Sequence, residues 1–387
     1  MAAQSVPPDS AVLVALDFGV IDIEATIAEA CELVATAGAA VRAVVRGRRE
    51  KPDAALFAGS GKVDEIAEAI ANCDAKWVVF NHALSPIQIR NLERALETRV
   101  VDRTDLILDI FAQRARSHEG KLQVELARLE HHMTRLVRGW THLERQRGGI
   151  GVRGGPGETQ LEIDRRLVAD RIRLTKARIA KVARQRQTQR GARRRSGVHT
   201  VAIVGYTNAG KSTLFNRLTR ADTYVADQLF ATLDTTTRRV WLGAGAEVTL
   251  SDTVGFIRDL PHALVAAFRA TLEETASADL LLHVVDASSP RRDGEIEDVN
   301  AVLAEIGADL VPQLLVFNKI DLLSQAEASV TMDQCGKINE LRISAVTGHG
   351  LDALRAAILS RLPATLPHAA QGIIPRPDAR DLSGATS

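Results

Sequence analysis

A candidate phosphate-binding loop is the stretch of this 387-residue sequence whose residue types and spacing point most directly to chemistry. An apolar run ends in Gly205, Tyr206, Thr207, Asn208, Ala209, Gly210, Lys211 and Ser212, and Thr213 follows in an amphipathic stretch. In a GxxxxGKS loop the backbone N–H groups face the β-phosphate, the lysine reaches the β- and γ-phosphate oxygens, and the serine hydroxyl binds Mg²⁺. The loop therefore predicts a nucleotide site between a strand and a helix.

Three further motifs indicate that the nucleotide is GTP. They consist of Asp252, Thr253, Val254 and Gly255, then Asn318, Lys319, Ile320 and Asp321, and finally Ser344, Ala345 and Val346. We expect Asp252 to hold Mg²⁺ through a water molecule, and the Gly255 N–H to sense the γ-phosphate. The Asp321 carboxylate can accept both N1–H and the 2-amino group of guanine, which adenine cannot match. These motifs, in this order, predict GTP rather than ATP.

A loop between the first two motifs is predicted to supply a second hydroxyl ligand for Mg²⁺. It contains Phe230, Ala231 and Thr232, which we expect to contact the nucleotide. Thr232 is our choice for the hydroxyl that completes the Mg²⁺ shell when a γ-phosphate is bound. The neighbouring threonines 235, 236 and 237 stay as alternatives. Together with Lys211 and Gly255, Thr232 forms the predicted catalytic set.

Phe256 stands at the position where Ras-like enzymes carry a glutamine that orients the attacking water. A phenyl ring cannot do this. We therefore predict slow hydrolysis by the protein alone, with the missing element supplied by a partner, another loop or a monovalent cation. Asn208 is a candidate to hold K⁺ beside the phosphates, and a plain loop role for it is an equal alternative.

The composition is that of an ordinary globular chain. It is 45% hydrophobic and 25% charged, which argues against a collagenous or wholly disordered protein. At roughly 100 to 200 residues per domain, its length predicts two or three domains. Cys31, Cys73 and Cys335 form no CxxC pair, so neither a disulfide framework nor a zinc site is supported. The N-terminal residues lack a signal-peptide pattern and no apolar run could span a membrane, so we expect a cytoplasmic protein.

Periodicity divides the chain into four predicted parts. Residues 1–115 alternate β-branched runs with amphipathic stretches, which predicts a small α/β domain. Within it, Gly59-Ser60-Gly61-Lys62 lacks the residues that flank a phosphate loop, and we interpret it as a turn and a helix start. A basic helical hairpin is predicted over 116–197. The P-loop GTPase domain, a mostly parallel sheet with helices on both faces, is predicted over 198–364, and a disordered tail over 365–387.

Two apolar seams with heptad spacing predict that the hairpin is long and antiparallel. They comprise Leu122, Leu126, Leu129, Met133, Leu136, Trp140 and Leu143, and then Val168, Ile172, Thr175, Ile179 and Val182. The glycine-rich stretch between them predicts an exposed tip. Residues 112–200 hold 22 Lys and Arg against 8 Asp and Glu, a net +14 in a chain of net +1, which favours a polyanionic partner. Pairing within the chain favours a monomer, and a dimerising coiled coil is the alternative.

The quoted motifs resemble those of the HflX family of translational GTPases. The resemblance rests on the phosphate loop, on Phe230–Asp234, on residues 255–261, and on Gly154-Gly155-Pro156-Gly157-Glu158-Thr159-Gln160-Leu161-Glu162 followed by Asp164-Arg165-Arg166. It implies binding to the large ribosomal subunit, with the tip near the peptidyl-transferase centre, and the splitting of stalled or idle ribosomes. Its candidate rRNA contacts are Arg147, Arg153, Gly154, Gly155, Arg165 and Arg166.

Some implications of the resemblance have weaker support in this sequence. Family members also bind ATP through the N-terminal region, for which we find no motif. About 25 residues follow the last predicted helix, so we expect the C-terminal domain of some relatives to be absent. Thr235 stands where many relatives have proline. A signalling switch that acts through a protein effector or a coiled-coil dimer is the alternative function, and ATP-driven RNA remodelling ranks last because no helicase motif is present.

Overall fold

The computed structural model describes residues 9–19, 22–138, 160–195, 198–220, 229–230, 232–243, 246–258, 264, 268, 272, 274–323, 329–332 and 338–362. They form a four-stranded sheet, two long helices and a seven-stranded sheet. The predicted hairpin tip and the predicted tail lie outside the described residues. None of the described helices is both long and apolar enough to span a membrane.

The first sheet is wholly parallel, with strand order β2-β1-β3-β4. Its strands are β1 (Asp9–Asp17), β2 (Ala39–Arg48), β3 (Trp77–Phe80) and β4 (Arg99–Asp102). The helices between and after them are α1 (Ile23–Thr36), α2 (Ser60–Cys73), α3 (Pro86–Leu96) and α4 (Arg103–Arg114). The central strand β1 is buried along most of its length, as its continuous apolar run requires. Helix α2 begins just after Gly59, at the turn and helix start expected there.

Helix α5 (His118–Arg138) is buried on more sides than a two-helix seam requires. Its seam residues Leu122 and Leu126 are buried, but so are Val124 and Ala127. The reason is that α5 contacts α4 as well as the next helix, and an ion pair of 2.6 Å joins Arg135 on α5 to Asp105 on α4. The first seam therefore contributes to the core of the N-terminal region.

Helix α6 (Gln160–Arg195) packs against α5. Ion pairs join Arg171 to Glu125 at 2.9 Å and Lys176 to Glu130 at 2.8 Å. The helix continues through the basic residues 184–195 despite the glycine at position 191. A single glycine in a helix costs only about 1 kcal/mol, and the surrounding Arg, Gln and Ala residues are good helix formers. The antiparallel course of the two helices around a glycine-rich tip stays a prediction.

The second sheet has strand order β10-β11-β9-β8-β5-β7-β6. Its elements in chain order are β5 (His199–Gly205), α7 (Lys211–Thr219), β6 (Thr236–Gly243), β7 (Ala246–Asp252), β8 (Leu280–Asp286), α8 (Arg292–Glu305), β9 (Gln313–Asn318), a 3₁₀ turn (Ile320–Leu322), β10 (Val330–Met332), β11 (Ile338–Arg342) and α9 (Leu351–Arg361). The two edge strands are antiparallel to their neighbours, and the five strands between them are parallel. The four nucleotide motifs therefore meet at one edge, beyond the carboxyl ends of parallel strands.

One apolar core extends from the first sheet to the second. At its centre the Phe111 ring of α4 lies edge-on to Phe230, at 4.6 Å between centroids, and to Phe268, at 5.2 Å. Phe230 and Phe256, from two of the nucleotide motifs, are 2% exposed in this core. Aromatic pairs of this geometry add to the free energy of burial. The N-terminal region is thus packed against the loops that face the nucleotide.

A buried histidine predicts acid sensitivity. His283 on β8 is 1% exposed, and burial lowers its pKa to about 4 although a hydrogen bond with Gln313 favours protonation. Between pH 6.5 and 4 the unfolded chain therefore binds this proton and the folded chain does not, so stability falls as the pH falls through that window. We expect a loss of about 2 kcal/mol between pH 7 and pH 5. Denaturant midpoints at the two pH values measure it. His283→Leu should remove most of the difference in unfolding free energy between pH 7 and pH 5. His132→Leu, at an exposed site, should leave that difference unchanged. The same difference in all three proteins would show that His283 is not its source.

Candidate guanine-nucleotide site

The phosphate loop joins β5 to α7 and needs glycine at both ends. Gly205 has φ +148°, and a Cβ there would lie 2.1 Å from the Val284 carbonyl oxygen of the adjacent strand. Gly210 has φ +88°, and its Cβ would lie 2.2 Å from Asn318 Nδ2. A side chain at either position would displace backbone or the Asn318 amide. Helix α7 begins at Lys211, directly after the loop. The N–H groups of the loop therefore lie at the N-terminal, partially positive end of a helix, which favours phosphate binding.

Asn318, from the third nucleotide motif, is hydrogen-bonded through its side chain to the first and the fourth. Its Nδ2 donates to the Ala209 carbonyl oxygen at 3.0 Å, and its Oδ1 accepts the Ala345 N–H at 2.9 Å. The side chain is 2% exposed, so both hydrogen bonds are shielded from water. Asn318 thus fixes the phosphate loop relative to the loop that contains Ser344 and Val346.

The base-binding end of the site is formed by the last two motifs. Lys319 has φ +65° and pairs with Asp286 at 2.7 Å. Asp321 follows in the 3₁₀ turn, where it is exposed. Arg217 from α7 donates to the Ala345 carbonyl oxygen at 3.0 Å and also bonds that of Val346. The Ile320 N–H donates to the Ile343 carbonyl oxygen at 3.3 Å, so the turn that contains Asp321 lies beside a loop that is bonded to the phosphate-binding helix.

Three oxygen atoms meet at the opposite end of the site. Ser212 Oγ lies 2.7 Å from Thr232 Oγ1, and both hydroxyls donate to Asp252 Oδ2, at 2.8 and 2.9 Å. Burial raises the pKa of Asp252, although the two hydroxyls favour its charged form. Its other oxygen, Oδ1, is buried and has no hydrogen-bond partner among the described residues. Mg²⁺ prefers oxygen ligands and keeps several of its water molecules. The two hydroxyls and the unpartnered carboxylate oxygen are therefore suited to bind the ion or one of its waters.

The alternative threonines lie elsewhere. Thr235 Oγ1 is buried and forms no hydrogen bond within the described part of the chain. Thr236 and Thr237 begin β6, where Thr237 faces Ser251 at 3.4 Å. Of the four candidates, Thr232 is the one whose hydroxyl contacts both Ser212 and Asp252 in the described part of the chain. We keep Thr232 as the proposed ligand on this ground.

Gly255 and Phe256 are held against the phosphate loop by backbone hydrogen bonds. The Phe256 N–H donates to the Gly205 carbonyl at 3.1 Å, and the Thr207 N–H donates to the Phe256 carbonyl at 2.7 Å. A Cβ on Gly255 would lie 2.9 Å from Lys211 Nζ, so glycine keeps this approach open. The Phe256 ring is part of the shared core, which explains its apolar character. It holds the segment in place and leaves the orientation of water to another group.

Lys211 is the buried cation of the site. Its ammonium group donates to the Tyr206 carbonyl oxygen at 2.6 Å, and the residue is 7% exposed. Burial lowers its pKa to about 8, against the opposing effect of the Asp252 carboxylate. A phosphate bound next to Lys211 would favour the charged ammonium group and so raise its pKa again.

Comparison with known proteins agrees with this geometry. Residues 24–112 match the family described as "GTP-binding GTPase N-terminal", residues 114–193 the "GTP-binding GTPase Middle Region", and residues 200–319 the "50S ribosome-binding GTPase". The GTPase HflX of Escherichia coli (strain K12) is 58% identical over 330 residues, which cover 85% of this chain and 77% of that protein. The chain belongs to the HflX family of GTPases. The HflX proteins of Magnetococcus marinus and of Caldanaerobacter subterraneus subsp. tengcongensis are 52% and 49% identical, over 84% and 87% of this chain and 75% and 76% of theirs.

The family membership confirms the predicted GTPase fold and activity. This HflX-family chain is an enzyme that binds guanine nucleotides and hydrolyses GTP. GTPase domains in general use Mg²⁺ for this reaction. The oxygen atoms of Ser212, Thr232 and Asp252 form a cluster of the ligand type that such an ion prefers.

Sequence reasoning missed a buried polar network that connects the N-terminal region of this HflX-family GTPase to the site. The Tyr206 hydroxyl donates to Glu29 on α1 and accepts the Arg258 N–H at 2.9 Å. Arg103 on α4 pairs with Glu29 and donates to the Arg258 carbonyl at 2.9 Å. Burial and the Glu29 charge raise the pKa of Tyr206 well above its usual value, so it stays a donor. A tyrosine inside a phosphate loop was the one available signal.

Not all of the predicted contact residues are among those that the structure describes. Ala231, Arg147, Arg153, Gly154 and Gly155 lie outside the described residues. Arg165 and Arg166 lie in the first turns of α6, where both are exposed. The structure therefore leaves their role in RNA binding as a prediction.

Proposed function

We propose that this GTPase binds the large ribosomal subunit through its N-terminal region and helical segment, and uses GTP to split or rescue stalled or idle ribosomes. The observation that supports it is the charge of the helical segment. Cationic side chains stand exposed along α6, and they include Arg165, Arg166, Arg173, Lys176, Arg178 and Lys181. Basic stripes of this kind suit the phosphate backbone of rRNA.

The family description adds a second line of support. The model matched by residues 200–319 is described as that of a 50S ribosome-binding GTPase. Ribosome binding also offers a source for the catalytic element that Phe256 does not supply. We propose cytosolic Mg²⁺ as the cofactor at Ser212, Thr232 and Asp252, with K⁺ near Asn208 as a further candidate. The free thiols Cys31 and Cys73 are compatible with the reducing cytosol.

A signalling switch is the alternative function. It would use the exposed leucines of α6, Leu167 and Leu174, to recruit a protein or a second copy. That complex would survive RNase and depend weakly on salt. The rRNA complex should instead weaken steeply as salt rises, because each phosphate contact releases counterions.

Reversal of charge on α6 tests the ribosome proposal. Arg165→Glu with Arg166→Glu should lower the affinity for purified large subunits by about tenfold or more at low salt, and reduce the salt slope by about one to two. GTP affinity should stay unchanged. Co-sedimentation with large subunits at four salt concentrations, plus nucleotide titration, measures both.

The matched control is Arg238→Glu with Arg292→Glu, which reverses two exposed arginines of the GTPase domain. It should bind subunits as the unmodified protein does. Equal losses in the two variants would mean that net charge alone matters. An unchanged affinity in the α6 variant would remove α6 from the interface.

A further inference from the structure

Asp234 connects the loop that carries Thr232 to the start of α5. Its Oδ2 accepts the N–H groups of Arg116 at 2.9 Å and of Ser117 at 2.7 Å, and its Oδ1 accepts the Ser117 hydroxyl. The Ser117 Oγ in turn accepts the Gly120 N–H at 2.8 Å, as a helix-capping serine does. A loop residue of the GTPase domain is thereby bonded to the residues that cap the N-terminus of a helix, 117 and 118 positions earlier in the chain.

The fit around this carboxylate is close. A Cβ on Gly120 would lie 2.2 Å from Asp234 Oδ1, so any larger residue there would have to displace the carboxylate. Asp234 forms no ion pair among the described residues, and its hydrogen-bond partners there all lie at the start of α5. The Asp234 carboxylate therefore joins the loop of Thr232 to the start of α5. A neutral amide in its place could not accept hydrogen bonds from all three donors.

Thr232 is held from both sides. Two residues before it, Phe230 is buried against Phe111 of α4. Two residues after it, Asp234 is bonded to the start of α5. The partners of both anchors, Phe111 of α4 and the residues at the start of α5, lie outside the GTPase domain, while the Thr232 hydroxyl contacts Ser212 and Asp252 within that domain.

We infer that Asp234 is a positioning residue for GTP hydrolysis, which acts by fixing Thr232 over the Mg²⁺ ligands Ser212 and Asp252. A short loop anchored at both ends loses less conformational entropy when Thr232 engages the ion, so anchoring favours the GTP-bound arrangement. By thermodynamic reciprocity, a γ-phosphate that orders Thr232 also stabilises the bonds of Asp234 to α5. The start of α5 thereby becomes part of the nucleotide sensor. This inference rests on the proposed role of Thr232.

The test compares Asp234→Asn in the full chain with Asp53→Asn. Asp53 also accepts two backbone N–H groups, from Ala55 at 2.8 Å and Leu56 at 2.7 Å, but in a loop of the N-terminal domain. Asp234→Asn should weaken binding of the non-hydrolysable analogue GppNHp by about tenfold and slow single-turnover hydrolysis by a similar factor. GDP affinity should change less than about twofold. Asp53→Asn should leave the GppNHp affinity, the GDP affinity and the hydrolysis rate unchanged.

A second readout follows the helix itself. In the unmodified protein, hydrogen exchange of the amides at 116–121 should be slower with GppNHp than with GDP, and Asp234→Asn should remove that difference. Ser117→Ala should show part of the same loss, and the double variant should lose less than the sum of the two single variants, because both changes break one junction.

Thr232→Ala separates the inference from the assignment on which it rests. If Thr232→Ala loses GppNHp preference but Asp234→Asn keeps it, the positioning role of Asp234 is wrong. If Thr232→Ala also keeps it, the proposed Mg²⁺ ligand is wrong. Equal weakening of GDP and GppNHp by Asp234→Asn, or additive effects with Ser117→Ala, would reduce Asp234 to a structural role and overturn the inference.

Discussion

Asp321→Asn is expected to change the base specificity of the site from guanine to xanthine. The Asp321 carboxylate can accept N1–H and the 2-amino group of guanine together. Asparagine offers one acceptor and one donor, so it leaves the 2-amino group facing an N–H donor. Xanthine carries a 2-oxo group in that place, and the amide can donate to it while it accepts N1–H. Because a site built for hydrogen bonding rejects a mismatched partner strongly, we expect GTP affinity to fall by about 100-fold or more and XTP affinity to rise.

Fluorescent-nucleotide competition with GTP, XTP and ATP measures this switch. Asp352→Asn is the matched control, because Asp352 is a fully exposed aspartate on α9 that pairs with Arg355 at 3.0 Å. It should leave all three affinities unchanged. Retention of GTP preference by Asp321→Asn would mean that another group reads the base, and the assignment of this motif would then be wrong.

Lys211→Ala is expected to reduce GTP hydrolysis by about 10²- to 10³-fold, the cost typical for loss of one group that stabilises transition-state charge. Lys211 is the buried cation closest to Gly255 in the described site. Alanine would also leave the Tyr206 carbonyl oxygen without its donor. Single-turnover hydrolysis at saturating GTP separates this loss from weaker binding.

Two further variants show whether charge alone is sufficient. Lys211→Arg keeps the charge but adds volume where Gly255 leaves space for little more than an ammonium group, so its activity should also be strongly reduced. Lys76→Ala removes an exposed lysine that pairs with Asp9 and should leave turnover unchanged. Near-normal turnover by Lys211→Ala would contradict the role given to the phosphate loop.

The nucleotide motifs could be predicted from the sequence because their residue types follow from backbone requirements. Gly205 and Gly210 occupy positions that no side chain could share with Val284 or Asn318. Asp252 is the last residue of the strand β7, and Asn318 is the last residue of β9. The alternating pattern of the first 115 residues likewise predicts an α/β arrangement, and the structure has a four-stranded parallel sheet with helices there. In each case local pattern and tertiary position agree.

The contacts between the N-terminal region and the GTPase domain could not be predicted. Glu29 lies 177 residues from Tyr206 in sequence, and Arg103 lies 155 residues from Arg258. A glutamate or arginine on an amphipathic helix is usually solvated, so nothing in its local sequence indicated burial. Asp234 was quoted only as part of a motif, because a polar residue in a loop carries no sign of its partner.

These contacts suggest how the two regions act as one unit. Glu29 and Arg103 hold Tyr206 and Arg258, while Phe111 and Ser117 hold the segment around Thr232. Both nucleotide-facing segments thus depend on residues outside the GTPase domain. A surface that binds the N-terminal region could therefore change nucleotide affinity without touching the nucleotide.

We propose that the large ribosomal subunit supplies the water-orienting element that Phe256 cannot provide. GTP turnover of the purified chain, at fixed K⁺ and Mg²⁺, should be measured alone, with isolated large subunits and with isolated small subunits. We expect slow turnover alone and stimulation of at least about tenfold by large subunits only, since completion of a GTPase site by a partner typically gives large rate increases. Equal turnover in all three conditions, or stimulation by small subunits alone, would contradict the account and favour a switch that acts through a protein effector.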